Sequence, residues 1–483
     1  MSPVVEVLLL LFGLGATALA SGRRTLAIAA WLAPLALLAV ARSASPGLAV
    51  GGVAAALFVG IWLANRGVIP APPLASVAIA AAIALVSLWP YVADRLMAPR
   101  LPSMAASLVF PLAMAVNDFV AARWSPYGTW GCVAQSQVGN LPLSQLVSIT
   151  GVPGPAFLVG WFASVGASVA QGHFDAPVAA AFAVVWCAAM LFGGARLAFA
   201  GAPKGGVRVG AIGWPEGVLT QEQLMRSIAP GAQDIDRRML LAGFARVLDH
   251  FVEATRREAA AGARIVVWPE ANAMAFAEDE AMLVDRLRAL AREGSIHLVV
   301  GLAVVHVGSE RPFENKALSI NPEGEVEMEY RKAMPVPGFE ARASRAGPRV
   351  LPVIDSPYGR IAVAICFDLD FPAYIRQAGQ ARADLLLVPA SDWEAIKVLH
   401  FEGAVLRAIE NGVPMVRATR WGWSGAVDAY GRVIARVDPF VEAGGVLATQ
   451  VELGHVRAVY AAVGDWFGWA CVGAIVALAW ASM

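Results

Sequence analysis

The hydrophobic positions of this chain follow two patterns, one before about residue 200 and one after it. In the first part, long apolar stretches follow one another and are separated by short segments containing Arg, Pro, Gly or Asn. A bilayer core about 30 Å thick needs roughly 20 apolar residues per helix, so each stretch predicts a membrane-spanning helix. Seven stretches precede residue 200, at about 3–20, 25–41, 47–64, 74–93, 102–121, 151–170 and 177–195. An eighth, WFGWACVGAIVALAWASM, follows Asp465.

The distribution of charge divides the chain at the same place. Charged residues make up 15% of the sequence, against about 25% in ordinary globular domains, and few of them lie before residue 200. We therefore predict a transmembrane domain over 1–203 with about seven helices, a water-exposed domain over 206–455 and a C-terminal transmembrane helix over 464–483. The first stretch lacks a basic segment ahead of it and carries Glu6, so we expect it to be retained rather than cleaved as a signal peptide.

The loops between the predicted helices leave two questions open. Their Lys and Arg residues divide almost evenly between the two sides, so the positive-inside rule does not determine the orientation. The polar, aromatic loop from Trp124 to Leu146 is typical of a segment that anchors helices at the membrane interface. The alternative is that this loop lines a groove through which lipid enters.

The water-exposed part alternates short apolar runs with helical patterns. The runs VRVGAIGW, RIVVWPE, HLVVGLAVV, RIAVAICFD, ADLLLVPAS and VPMVRAT predict strands, and ALSINPEGEVEMEYRK and WSGAVDAYGRVIARV predict hairpins. Helical patterns cover about Ile235–Ala261, Asp279–Glu293, Tyr374–Ala381 and Ile396–Asn411. Nearly continuous apolar strands that alternate with helices indicate an α/β layered domain with buried sheets.

Three residues with complementary chemistry follow predicted strands of this domain. Glu270 ends IVVWPE, Lys332 ends EMEYRK and Cys366 ends IAVAIC. Reactive groups gather beyond the carboxyl ends of strands in α/β sheets. A carboxylate can take the proton of a cysteine thiol, and a cation can stabilise the resulting anion and the oxyanion of a tetrahedral intermediate. We expect Glu270 as general base and Lys332 as stabilising cation, with Glu340 as a further acidic partner that keeps the lysine charged.

Each of these residues also has a plain structural interpretation. Cys366 could be a small apolar filler, Glu270 a helix cap, Lys332 a solvated strand end and Glu340 part of a loop surface. The other cysteines lie in or beside apolar stretches, which leaves Cys366 without a disulfide partner in its own domain. The joint placement of the three residues favours catalysis.

Other chemistries lack their motifs. The chain has no GxSxG, HExxH, P-loop or dinucleotide-binding pattern, and we predict no metal and no cofactor. Its histidines are scattered, and we expect His400 to pack against a neighbour rather than to pair with Cys366. The net charge is zero and no basic stripe is present, so no nucleic acid partner is expected.

The motifs VVWPE, YRK and ICFDLDFP resemble the three active-site motifs of the nitrilase (carbon–nitrogen hydrolase) superfamily, in the same order. This resemblance implies a four-layer αββα sandwich, a catalytic set of Glu270, Lys332 and Cys366, and an acyl-enzyme held as a cysteine thioester. It also implies supporting roles for Glu340, which matches an additional glutamate after the lysine, and for Phe367 and Asp368, which follow the cysteine. The fold class is then a multi-pass helical membrane domain plus a nitrilase-type sandwich.

The apolar half narrows the resemblance to the apolipoprotein N-acyltransferase family. Further segments agree with that family, among them LPLSQLVSITGVPGPAFLVGW, FEGAVLRAIENGVPMVRAT and YAAVGDWFGWAC. The resemblance implies a bacterial inner-membrane enzyme whose catalytic domain faces the periplasm. It implies a phospholipid acyl donor and, as acceptor, the N-terminal amine of a diacylglyceryl-cysteine lipoprotein, both held in the bilayer.

Two departures from that family keep alternatives open. The family usually has Cys-Tyr-Glu where this chain has Cys366-Phe367-Asp368, and the segment between Glu340 and the strand before Cys366 is short. We expect the shorter carboxylate and the missing hydroxyl to alter how the acceptor is handled. The alternatives are a membrane-anchored amidase or an acyltransferase for another amine, and a non-catalytic membrane scaffold. Donor head group, acyl length and oligomeric state are left open.

Overall fold

A computed structural model describes residues 1–201, 205–215, 237–442 and 444–483. The chain divides into two compact units, one made of Met1–Ala200 with Ala462–Met483 and the other of Gly201–Ala461.

The first unit is helical. Its helices are α1 (Pro3–Ala20), α2 (Ala27–Ser43), α3 (Val53–Asn65, preceded by a π-helical turn at Leu48–Gly52), α4 (Pro73–Met97), α5 (Ser103–Trp124), α6 (Leu141–Ser144), α7 (Val147–Thr150), α8 (Pro153–Ala170), α9 (Ala176–Ala198) and, at the C-terminus, α16 (Trp466–Ala481). Within the described residues, six helical segments are long and apolar enough to cross a membrane, by length and composition alone. The apolar helices α2 and α16 are shorter. Every stretch predicted from the sequence is therefore helical, and the number of crossings stays a prediction.

The outer faces of these helices are suited to lipid. On α1, the exposed side chains Val4, Leu8 and Leu11 recur at helical spacing along one side. Contiguous apolar surface of this kind is unfavourable in water and favourable in contact with lipid hydrocarbon. The predicted membrane location is confirmed at this level.

Inside the unit, polar contacts join the helices. Arg42 of α2 forms a two-pronged ion pair with the buried Asp94 of α4, at 2.7 and 2.8 Å, and donates to Ser164 of α8. Ionised groups among apolar helices are costly unless paired in this way. The loop after α5 is folded against the helices, because the indole of Trp31 donates to the buried Gln137 at 2.9 Å.

The second unit contains two β-sheets. Among its described residues, the first sheet has the order β13-β1-β2-β4-β5-β6, with β3 also paired to β4, and the second has the order β12-β11-β10-β9-β8-β7. The strands of the first sheet are β1 (Gly205–Ala211), β2 (Ile265–Val267), β3 (Ala273–Phe276), β4 (His297–Val305), β5 (Phe313–Ile320), β6 (Val326–Arg331) and β13 (Leu447–Leu453). Those of the second are β7 (Val353–Ser356), β8 (Gly359–Val363), β9 (Leu385–Ser391), β10 (Met415–Arg420), β11 (Ser424–Val427) and β12 (Val433–Val437).

Helices cover the outer face of each sheet. Helices α10 (Arg237–Ala260) and α11 (Glu280–Gly294) pack on the first sheet, and α13 (Pro372–Gln380) and α14 (Lys397–Asn411) form the layer on the second. The short helices α12 (Phe339–Ala343) and α15 (Val459–Val463) complete the unit. The sheets face each other through β4 with β9 and β1 with β10, so the layers are αββα. The predicted fold class is confirmed.

The predicted elements of this unit need a few corrections. Strands β3, β7 and β13 were not predicted, because the first two are only four residues long and β13 carries polar residues. The predicted strand before Cys366 ends at Val363, and a 3₁₀ turn at Cys366–Asp370 follows it. The first two residues of the helix predicted over 235–261 lie outside the described residues.

Candidate active site

The three side chains singled out for catalysis lie just beyond the ends of three strands. Glu270 follows β2, Lys332 directly follows β6, and Cys366 begins the 3₁₀ turn after β8. The backbone N–H of Glu270 donates to the carbonyl of Ala390 on β9 at 3.2 Å, which attaches this loop of the first sheet to the second sheet. A Cβ atom added to Gly301 of β4 would lie 2.6 Å from the Glu270 Cα, so glycine allows the Glu270 backbone to pack against β4.

The ammonium of Lys332 is the centre of the site. Its Nζ lies 2.7 Å from Glu270 Oε1 and 2.8 Å from Glu340 Oε2. Glu340 is itself held by the backbone N–H of Val336 at 2.7 Å, and the N–H of Gly347 donates to the Lys332 carbonyl at 2.8 Å. The segments on both sides of Glu340 therefore hold the two ends of this ion pair, Val336 at the glutamate and Gly347 at the lysine.

Asn315, which the sequence did not single out, joins the two glutamates. Its Nδ2 donates to Glu270 Oε1 at 2.6 Å and to Glu340 Oε1 at 2.7 Å. It lies on β5 beside the end of β6, where its carbonyl accepts from the Lys332 N–H at 2.9 Å. Its amide thus offers both hydrogens to carboxylates, a charge-assisted arrangement. Nothing in its local sequence distinguishes it from a strand asparagine, because its role depends on pairing with β6.

The contacts of this cluster shift its pKa values in a consistent direction. Burial raises the pKa of the Glu270 carboxyl, but the Lys332 ammonium and the hydrogen bonds outweigh burial and hold the pKa below its ordinary value. Burial lowers the pKa of Lys332, but the two glutamates raise it well above the ordinary value. Glu270 is therefore ionised and Lys332 protonated at neutral pH.

Cys366 combines a strained backbone with a buried thiol. Its φ of 48° lies in the left-handed region that non-glycine residues avoid, which is a feature of residues constrained at functional sites. The thiol lies 3.3 Å from the Ser391 carbonyl and also hydrogen-bonds with Glu270. Burial and the charge of Glu270 raise the pKa of the thiol well above its ordinary value, and Lys332 offsets this only in part. The resting sulfur is a thiol beside an ionised base.

The two residues after Cys366 hold the turn in place. Asp368 is fully buried and accepts from the Tyr330 hydroxyl at 2.7 Å and from the N–H groups of Ile365 and Met334 at 2.8 Å each. Burial raises the pKa of Asp368 to about 7, although these hydrogen bonds lower it. The carboxylate thus connects the segment after Lys332 to the strand end before Cys366. The expected effect of this shorter carboxylate on the acceptor stays a prediction.

Phe367 has a packing role in the same turn. Its ring is buried and packs edge-on against Phe371, with 5.3 Å between ring centroids. Supporting roles for Phe367 and Asp368 therefore have a geometric basis in the positioning of Cys366.

A second buried cluster lies beside Cys366. His400 Nδ1 and Arg417 Nη2 both lie 2.7 Å from Asp392 Oδ1, and His400 Nε2 lies 3.1 Å from Asp370 Oδ2. Burial lowers the pKa of His400, but the carboxylates raise it to about 9, so both ring nitrogens donate. His400 is paired with carboxylates rather than with Cys366. One of its ring nitrogens, an Asp392 oxygen and the Cys366 sulfur nevertheless lie within 4.8 Å of one another.

The sequence placed His400 on a helix but gave no sign of this neighbourhood. Asp392, His400 and Arg417 come from the end of β9, from α14 and from β10, so only the fold brings them together. Cys366, Asp392 and His400 are also donor types that bind metals. Arg417 already supplies positive charge at Asp392, and both nitrogens of the imidazolium are engaged, so the set does not fit a metal ion in this protonation state.

Both halves of the chain are similar to known families. Residues 13–165 match the apolipoprotein N-acyltransferase N-terminal domain, and residues 235–461 match the carbon–nitrogen hydrolase family. The apolipoprotein N-acyltransferase of Geobacter metallireducens is 28% identical over 401 residues, which cover 77% of this chain and 73% of that protein. The protein of the same name from Bradyrhizobium diazoefficiens is 25% identical over 442 residues, covering 84% of this chain and 76% of the relative.

Other similar proteins match the second half alone. The deaminated glutathione amidase of Yersinia enterocolitica is 25% identical over 217 residues, which cover 38% of this chain and 75% of that protein. Among solved structures, an amidase from Nesterenkonia sp. is 21% identical with a TM-score of 0.41 and covers 55% of this chain and 93% of its own. A carbon–nitrogen hydrolase from Helicobacter pylori G27 is 16% identical with a TM-score of 0.41, covering 51% and 89%.

Proposed function

We propose that this chain, which belongs to the apolipoprotein N-acyltransferase family of the nitrilase superfamily, moves a fatty acyl chain from a phospholipid to the N-terminal amine of a diacylglyceryl-cysteine lipoprotein. The observation that carries the proposal is the buried contact of Glu270 with Lys332 and the Cys366 thiol, in a chain with membrane-type helices. An ionised base, a nucleophile and a fixed cation are what acyl transfer through a thioester requires.

In the first half-reaction, Glu270 takes the proton of the Cys366 thiol as the sulfur attacks the acyl ester carbonyl of the phospholipid. The carbonyl π electrons move to oxygen, and Lys332 with the backbone N–H of Phe367 stabilises the oxyanion. When the intermediate collapses, the C–O bond to glycerol breaks and the leaving oxygen takes the proton from Glu270. The products are a lysophospholipid and a Cys366 thioester.

In the second half-reaction, the free amine of the lipoprotein attacks the thioester carbonyl. Glu270 accepts a proton from the attacking nitrogen, the C–S bond breaks, and the departing sulfur takes that proton back as a thiol. The acceptor leaves as an amide and the enzyme returns to its starting state. Because both substrates are anchored in lipid, confinement beside the helices replaces a three-dimensional search and orients the reacting groups.

The donor and the acceptor are tested by one experiment. Purified protein is incubated with phospholipid labelled in its acyl chain, with and without a diacylated lipopeptide. The mass of the peptide containing Cys366 is then measured by mass spectrometry. We expect an acyl adduct on Cys366 that is discharged by the lipopeptide to give a triacylated product. Release of labelled fatty acid alone indicates an amidase-like hydrolase and rejects transfer, and a wild-type protein that forms no adduct supports the scaffold alternative.

A matched pair of variants tests the nucleophile. Cys366→Ala should abolish adduct formation, whereas Cys187→Ala, which removes an exposed free cysteine of α9, should leave it unchanged. Unchanged turnover in Cys366→Ala removes this thiol from the mechanism.

The chain is a bacterial inner-membrane protein by its relatives and its apolar helices. We propose further that the helices cross the membrane several times and that the catalytic unit faces the periplasm. The highly exposed Asp355 offers a labelling site in that unit. In cells with a permeabilised outer membrane, Asp355→Cys should react with a membrane-impermeant maleimide. Labelling that requires lysis of the inner membrane places the unit in the cytoplasm and contradicts the proposal.

A further inference from the structure

Arg420 is a buried cation of the second unit that has no acidic partner among the described residues. Two other arginines in the described part of this unit are buried, and each forms an ion pair, Arg407 with Glu410 at 3.2 Å and Arg417 with Asp392 at 2.7 Å. Arg420 is 9% exposed, and its described hydrogen bonds are long contacts with neutral oxygens. A buried charge without a direct ion pair is unfavourable unless a ligand provides one.

Those two contacts place the guanidinium beside the proposed reacting groups. Nε donates to the Ser391 hydroxyl at 3.2 Å, and the carbonyl of the same Ser391 accepts from the Cys366 thiol at 3.3 Å. Nη1 lies 3.4 Å from the carbonyl of Ala271, the residue after Glu270. Arg420 therefore contacts Ser391, which accepts from the nucleophile, and Ala271, which follows the base in the sequence.

Two indole rings fix the orientation of this guanidinium. Its Cζ lies 4.5 Å from the ring centroid of Trp421 and 5.1 Å from that of Trp214, and the two rings pack edge to face at 5.8 Å. Trp421 adopts a φ of 55°, a conformation that non-glycine residues rarely hold. Cation–π contacts stabilise the charge but leave the in-plane N–H donors available for an acceptor. A planar guanidinium held in this way is suited to two-pronged recognition of phosphate.

The electrostatics agree with a site for an anion. Burial lowers the pKa of Arg420 to about 10, which still leaves it protonated at neutral pH, and the negative charge of Glu270 favours its charged form. The lipoprotein acceptor brings an amine, which an arginine does not attract, whereas the phospholipid donor carries a phosphodiester on the glycerol that bears the acyl ester.

We propose that Arg420, framed by Trp214 and Trp421, binds the phosphodiester of the acyl donor and thereby positions its ester carbonyl at Cys366. This inference rests on the proposed function, which it deepens by naming the part of the donor that is recognised. Arg420 acts as a binding and specificity residue and takes no part in bond making. Its contribution depends on the charge of the donor.

The test compares two donors with identical acyl chains, a phospholipid and a diacylglycerol without phosphate. The rate of acyl-enzyme formation on Cys366 is measured for wild type, Arg420→Gln, Arg420→Lys and Arg436→Gln. Arg436 is the matched control, because its guanidinium also stacks on an indole, 3.7 Å above Trp423, but is exposed on β12. Thermal melting of each variant shows whether it is folded.

We expect Arg420→Gln to lose about tenfold to a hundredfold in rate with phospholipid, the effect of losing hydrogen bonds to a charged group, and to lose much less with diacylglycerol. Arg420→Lys should retain part of the preference for phospholipid because it keeps the charge, and Arg436→Gln should match wild type. Equal losses with both donors, or no loss with either, overturn the assignment. If Arg420→Gln does not fold, the test depends on Arg420→Lys. The assignment is then overturned if Arg420→Lys keeps the full wild-type preference for phospholipid over diacylglycerol, or if it shows no preference at all.

A third arm separates the donor phosphate from a free ion. Inorganic phosphate should slow acylation by phospholipid in wild type more than in Arg420→Gln. Inorganic phosphate could instead slow acylation in a wild-type protein that does not prefer phospholipid over diacylglycerol. That result assigns the site to the free ion and overturns the donor assignment. Failure of wild type to form an acyl-enzyme with either donor refutes the proposed function itself and is distinguishable from all these results.

Discussion

Asn315 offers a direct test of how the site ionises its base. In the Asn315→Asp variant the side chain keeps its shape, but two N–H donors are replaced by an acceptor and a negative charge. The variant loses the hydrogen bonds to Glu270 at 2.6 Å and to Glu340 at 2.7 Å. It also adds a third acid around the single ammonium of Lys332. Both changes disfavour the ionised form of Glu270.

The size of the effect follows from these contacts. A hydrogen bond to a charged group contributes about 1.5–3 kcal/mol. At about 1.36 kcal/mol per pH unit, its loss raises the pKa of Glu270 by about 1–2 pH units, and the added charge acts in the same direction. Because the proposed mechanism needs Glu270 ionised, the acid limb of acyl-enzyme formation should move to higher pH by that amount.

The assay is the rate of acyl-enzyme formation on Cys366 across the pH range, measured by mass spectrometry. Asn315→Leu removes the donors without adding charge and should give a smaller shift in the same direction. Asn321→Asp is the matched control, because Asn321 also donates to a glutamate, Glu325 at 3.0 Å, in the turn between β5 and β6. If the acid limbs of Asn315→Asp and Asn321→Asp coincide in folded proteins, Asn315 does not control the base and this reasoning is refuted.

Three further variants address the rest of the site. Lys332→Met leaves the buried Glu270 and the half-buried Glu340 without their cation, so it should cost about 3–5 kcal/mol in unfolding free energy and abolish acylation; an unchanged melting temperature contradicts this. Gly301→Ala should displace the Glu270 backbone and slow acylation, whereas Gly210→Ala on β1 of the same sheet meets only a flexible side chain and should not; equal rates in the two variants would falsify the packing argument. His400, with a pKa of about 9 against an ordinary 6.5, should contribute about 3 kcal/mol of stability that is complete below pH 6.5 and lost as the pH rises through about 9. Melting curves against pH check this, and His400→Gln should remove the slope.

The sequence predicts those parts of the fold that depend on local pattern. Long apolar stretches identify the helices of the first unit because a membrane-type helix is defined by its own composition. Glu270, Lys332 and Cys366 stand out because each follows a predicted strand, and strand ends are readable from a single run of residues. Their complementary chemistry then supplied the hypothesis of one site.

The remaining parts depend on pairing between distant segments. Asn315 matters because β5 pairs with β6 and brings its amide between two glutamates, which no local pattern reveals. The contact between Arg420 and Ser391 likewise depends on the parallel pairing of β10 with β9. Asp368 contacts the Tyr330 hydroxyl and two backbone N–H groups, and its expected effect on the acceptor stays a prediction.

The direction of the pKa shifts explains how a buried cysteine can be both inert and reactive. The pKa of Glu270 lies below the ordinary value for a glutamate, and the pKa of Cys366 lies above the ordinary value for a cysteine. Proton transfer from the thiol to the carboxylate is therefore unfavourable in the resting site. The transfer becomes favourable only when the negative charge moves on from sulfur to a carbonyl oxygen that Lys332 can stabilise. In the proposed mechanism, the thiol is therefore ionised by the arrival of a correctly placed ester rather than beforehand. In that mechanism the site reacts only with a well-placed ester, so donor positioning, the role proposed for Arg420, determines whether acylation begins.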